Sequence, residues 1–143
     1  VRKLHVSVGR IVVASLFAAV LSGGLSFGLR TAHASEPTLQ ERRDALMKNV
    51  EDMMAHGGMG DAKAIVHHCE AAAGDAEAIL KQLPDSDPRR SQALAPLTDV
   101  IQQCKRVSAA GVHADPGQLL NPGSKASAAA RASIKALGLA KTN

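Results

Sequence analysis

Four consecutive positions, His67-His68-Cys69-Glu70, hold two imidazoles, a thiol and a carboxylate. Just upstream lies a turn-like run, His56-Gly57-Gly58-Met59-Gly60-Asp61. A weaker echo follows about fifty residues later, in Gly111-Val112-His113-Ala114-Asp115-Pro116-Gly117-Gln118-Leu119-Leu120. Aligning Asp61 with Asp115 pairs Ile65-Val66 with Leu119-Leu120 and Met59 with His113. Imidazole, carboxylate and thioether groups suit copper, nickel and zinc. His56, Met59, His68, His113 and Asp115 are therefore the candidate ligands. The competing reading makes them solvated turn residues, with Asp61 and Asp115 serving as helix caps. His56 and His68 differ in depth by several residues along their helices, so one compact site using both is hard to build. His67 and Glu70, three apart on a helix, read as a surface pair on the face of Lys63.

The two cysteines sit at matched depths. Cys69 lies 17 residues before Ser86, the centre of a polar turn, and Cys104 lies 18 after it. In an antiparallel helix pair both would be about 25 Å from that turn. An oxidising compartment would join them as a disulfide closing a loop of about 35 residues. The functional alternative is a reduced pair holding a soft metal such as Cu(I).

That compartment is suggested by the first residues. Arg2, Lys3 and Arg10 form a basic region, Ile11 to Leu29 carries no charge, and Ala32-His33-Ala34 is an A-x-A cleavage pattern. Residues 1–34 read as a cleaved secretory signal peptide, residues 35–143 as one domain, and the destination as the periplasm. An uncleaved anchor is the rival, since the uncharged run could just span a bilayer. Contact with a membrane is expected only through this segment.

Removing the leader changes the charge balance. Four of the 17 Lys and Arg residues precede Ala34, so the net charge of +4 belongs to the leader and the remainder is near neutral. The electrostatic case for nucleic acid as a partner disappears. Both phenylalanines, Phe17 and Phe27, leave as well, and the rest of the chain has no aromatic residue for base stacking or a haem pocket. No G-x-S-x-G, H-E-x-x-H or C-x-x-C-H pattern is present, so neither a hydrolase, a zinc protease nor covalent haem is supported. The expectation is a protein that is not an enzyme. No protein partner can be named from the sequence.

The elements that must position these residues are helical. Thr38 with Glu41 three residues on forms a capping box. Leu39, Leu46, Val50 and Met53 make the seam of a first helix, and Gly57-Gly58 should stop it. Asp61 caps a second helix running to about Leu83, with a heptad-like seam of Ile65, Cys69, Ala72, Ala76, Ile79 and Leu83. Asp87 and Pro88 open a third helix, whose seam is Leu97, Ile101, Cys104 and Ser108 and whose end is Gly111. Pro96 should kink that helix or delay its regular start. Asp115-Pro116-Gly117 predicts one short helical turn ending at Asn121-Pro122-Gly123. A fourth helix then runs from Ser124 to Leu137, with Ala126, Ala130, Ile134 and Leu137 inward and Gly138 as its stop. The fold class is all-α, an antiparallel up-down-up-down four-helix bundle.

With its leader and helical pattern, the chain resembles the small metal-binding protein family of exported, histidine-rich, alanine-rich helical bundles. The likeness rests on Ala55-His56-Gly57, on Ile65-Val66-His67-His68-Cys69-Glu70-Ala71-Ala72 and on Gly111-Val112-His113-Ala114-Asp115. It continues through Leu119-Leu120-Asn121-Pro122-Gly123 and the final alanine-rich helix. His56, His68 and His113 sit where that family places histidines. The resemblance implies a four-helix bundle that binds or buffers a divalent transition metal, copper or nickel. The alternative from the residues is a disulfide-stapled bundle of the envelope that acts as a structural or interaction protein without metal.

Overall fold

Helix boundaries follow from local hydrogen-bond chemistry. In the computed structural model, which describes residues 35–139, Thr38 and Glu41 exchange bonds as a complete capping box, opening α1 at Leu39–Gly58. Asp61 accepts from the Ala64 N–H at 2.9 Å and opens α2, Ala62–Gln82. Asp87 accepts from the Arg89 N–H at 2.9 Å, with Pro88 leading α3, Pro88–Ala110. Asp115 accepts from the Gly117 N–H at 2.8 Å, with Pro116 leading α4, Pro116–Ala136. Each carboxylate satisfies an amide that the first turn leaves without a partner. Gly111 and Gly138 take positive φ at the ends of α3 and α4, a conformation that costs glycine little. No strand occurs among the described residues.

The four helices form an all-α bundle. α1 packs on α2 and α4, and α3 packs on the same two, while the diagonal α2 and α4 also touch. That diagonal is where core positions are small: Ala72 and Ala76 on α2, Gly123, Ala126 and Ala130 on α4. Bulk comes from all four helices: Leu46, Val50 and Met53 on α1, Ile65 and Ile79 on α2, Leu97, Val100 and Val107 on α3, and Leu119 and Ile134 on α4. Small residues facing across this diagonal let α2 and α4 approach closely enough to touch. The described residues belong to one compact unit. Residues 1–34, where a cleaved signal peptide is expected, fall outside the described residues, and no described helix is long and apolar enough to cross a membrane.

Three boundaries or faces differ, wholly or in part, from the sequence expectation. α1 ends at Gly58, as expected, but both glycines lie inside its last turn and Met59 is the C-cap. Gly57 is buried, and a Cβ there would fall inside the Leu120 side chain, so this glycine serves close helix contact. On α3, Val100 and Val107 are fully buried and Ile101 and Ser108 lie at the margin, so the seam is rotated from the one expected. Finally, α4 is continuous from Pro116 and carries Pro122 inside it. A proline removes one ladder bond, but Leu119 is fully buried on one side of it and Gly123 lies against Met53 on the other. Burying one apolar face along the whole segment outweighs that loss.

Polar clamps close the ends. Arg90 on α3 donates to the carbonyl of Leu83 at 2.7 Å and also to that of Leu80, while its Nε meets Asp85 at 3.0 Å. The guanidinium thus satisfies carbonyls that the last turn of α2 leaves open. Arg43, 4% exposed, donates to the Leu139 carbonyl at 2.5 Å and ties the end of the described chain to α1. Between α2 and α3, Cys69 and Cys104 are joined as a disulfide with their Cα atoms 5.1 Å apart.

Candidate functional site

The candidate ligands fall in the groove between α1 and α2. Polar residues at seven-residue spacing line each wall: Arg42, Asn49 and His56 on α1, and Asp61, His68 and Asp75 at the cap and along α2. Because the helices are antiparallel, these form three rungs. Arg42 donates to Asp75 at 3.3 Å, Asn49 meets His68 with Oδ1 3.4 Å from Nδ1, and His56 Nδ1 lies 3.9 Å from Asp61. A diagonal bond joins the first two rungs, from Asn49 Nδ2 to the second carboxylate oxygen of Asp75 at 3.0 Å. Asp75 is buried, and two donors from α1 hold its carboxylate.

His56 and His68 meet between the second and third rungs. Their rings stack with centroids 5.2 Å apart and planes 19° apart. The difference in depth along the helices does not keep them apart, contrary to the sequence expectation. Side chains lean toward the N-terminus of their own helix. On α1 that direction is away from the α1–α2 turn; on α2 it is toward the turn. His56 therefore leans down, His68 leans up, and the rings converge although their backbones sit at different heights.

Charge in the groove is set by burial and by Asp52, one helical turn before His56. Burial holds the His68 pKa below its ordinary 6.5, with Asp52 opposing and His56, His67 and Lys48 adding to the depression. Asp52 is itself held below its usual carboxylate range, first by the hydrogen bond from Lys48 and then by charges that include both histidines. Burial thus favours the neutral form of His68, the one in which imidazole offers a lone pair.

The remaining histidines and candidate ligands are placed as follows. His67 is exposed and meets His68 edge-on at 5.3 Å between centroids. Met59, 69% exposed, is the C-cap of α1. His113 is exposed in the connection before α4, and Asp115 is engaged as that helix's cap. Among the described residues no group of three or more His, Cys, Asp or Glu side chains is arranged to hold a metal ion. His113 and Asp115 are therefore not gathered with His56 and His68 into one shell. Sequence reading missed Arg42, Asn49, Asp52 and Asp75. For Arg42, Asn49 and Asp75 the signal was the seven-residue spacing of polar positions beside each apolar seam, a pattern visible once the two helices are set antiparallel.

No protein-family model, curated protein or solved structure matches the chain.

Proposed function

We propose that this protein is an exported helical bundle that binds a divalent transition metal of the copper or nickel type through His56 and His68. The observation that carries this reading is the approach of two imidazoles from adjacent helices to 5.2 Å. Imidazole nitrogen favours these ions over magnesium or calcium, and a neutral ring needs no proton displaced before it can coordinate. Two imidazoles are the donors the groove supplies, and the remaining coordination positions would fall to water. The resemblance to exported metal-binding bundles supports the same reading. A role in buffering rather than catalysis fits a groove with two histidines and no nucleophile next to a base.

Calorimetric titration with Cu(II) and Ni(II) tests it. Wild-type residues 35–143 are expected to bind one ion tightly, and the His56→Ala/His68→Ala variant to lose that event while keeping its helical spectrum. His67→Ala and His113→Ala should leave it nearly unchanged. Binding by the wild type that is no tighter than binding by the double variant would overturn the proposal. The stapled-bundle alternative, with no metal role, would then stand.

A further inference from the structure

The bonds beside His68 have a direction. An Asp75 carboxylate oxygen accepts and does not donate when it faces Arg42. The Asn49 atom 3.0 Å from Asp75 must therefore be its NH₂, which leaves the amide oxygen facing His68 Nδ1 at 3.4 Å. An amide oxygen only accepts, so this contact is a hydrogen bond only when Nδ1 carries the proton. In a neutral ring the remaining nitrogen, Nε2, then holds the lone pair.

We propose that the Arg42–Asp75–Asn49 relay fixes His68 in its Nδ1–H tautomer and so presents Nε2 as the metal-accepting nitrogen. This rests on the metal-binding reading above and assigns Asn49 and Asp75 as positioning residues for it. Partners of this kind hold a ligating ring in orientation and tautomer, and losing one typically costs 10–100-fold in metal affinity. Asp75 is buried and takes its donors from α1, so the relay also locks the rotation of Asn49. The free imidazole side chain favours the opposite tautomer, which makes the relay's effect readable.

The test uses metal-free protein first. Long-range ¹⁵N–¹H correlation spectra at about pH 8, where the ring is neutral, report which nitrogen of His68 is protonated. The wild type is expected to give the Nδ1–H pattern. Asp75→Asn places an amide that can donate as well as accept, so the Asn49 amide can turn and the tautomer preference should relax. Asn49→Leu removes the acceptor outright and should give mainly Nε2–H. Backbone amide spectra verify that each variant keeps the fold. Titration with Ni(II) then should show a 10–100-fold loss of affinity for both variants. A wild-type Nε2–H pattern, or Ni(II) affinity unchanged in Asn49→Leu, would overturn the proposal. If the wild type binds no Ni(II) or Cu(II), the functional reading falls, and the tautomer spectra decide the relay by themselves.

Discussion

The carboxylates of this domain divide by what donates to them. Asp61, Asp87 and Asp115 accept amide N–H groups at helix starts, whereas Asp75 accepts side chains across the α1–α2 groove. Glu41 closes the capping box of α1, accepting the Thr38 N–H at 2.7 Å and its hydroxyl at 2.9 Å. The backbone bond from Thr38 is the largest cause holding the Glu41 carboxyl below its ordinary 4.5, and the hydroxyl adds to it. The unfolded chain therefore binds a proton at higher pH than the folded one. Stability from this group is complete above 4.5 and is lost as the pH falls through the lower, folded value. Urea midpoints measured from about pH 6 to about pH 3 should fall more for the wild type than for Glu41→Gln, which has no charge to lose. Parallel curves would mean that the box contributes nothing through ionisation. The caps were legible because the rule is local: an acceptor, then an amide two or three residues on. The relay was not, because Asp75 and Asn49 are 26 residues apart and only the register of two helices brings them together.

At the scale of the helix, periodicity foretold most of the core and misplaced the rest for identifiable reasons. The α2 seam is buried at every expected position from Ile65 to Leu83, because its residues recur at steps of three and four with no competing stripe. On α3 Leu97 and Cys104 can be continued inward by Val100 and Val107 or by Ile101, and the helix, packed on both α2 and α4, buries the two valines fully and leaves Ile101 at the margin. Pro122 misled, and Gly57 lies within the last turn of α1, because tertiary contact overrode local preference. The same contact gives a paired prediction. Gly74 lies exposed on α2, and a methyl added there would meet nothing within 4 Å, so Gly74→Ala should stabilise by about 0.5–1 kcal/mol through helix propensity alone. Gly57→Ala gains the same propensity but drives a methyl into Leu120, and overpacking costs about 1–3 kcal/mol. That variant should be neutral at best and up to about 2 kcal/mol less stable. Thermal melts of the two single variants decide it, and equal stabilisation would show that Leu120 moves aside freely.

For the whole molecule, the staple and the histidine groove use different interfaces of one helix. Cys69 is neighbour to His68 in sequence, but its side chain is fully buried toward α3, while His68 is half-buried beside α1. The matched depths of the cysteines were readable from the sequence because the α2–α3 turn is short; the histidine convergence was hidden because it depends on opposite side-chain lean. This separation makes the disulfide a test of independence between stability and site. Closing a loop of 35 residues restricts the unfolded chain and contributes about 3–4 kcal/mol in the chain-entropy model. In a domain of this size each 1 kcal/mol is worth about 4–8 °C in Tm. Cys69→Ala/Cys104→Ala should therefore melt at least about 12 °C lower, with a further small loss from the space left by the two sulfurs. The α1–α2 packing does not run through the staple, so the variant should remain helical at low temperature and bind Ni(II) with unchanged affinity there. Using alanine variants rather than reductant keeps free thiols from supplying ligands of their own. A Tm equal to the wild type would mean that the unfolded chain is not restricted by the bond. A folded variant with weakened Ni(II) binding would mean that the position of His68 depends on the α2–α3 interface as well as on α1.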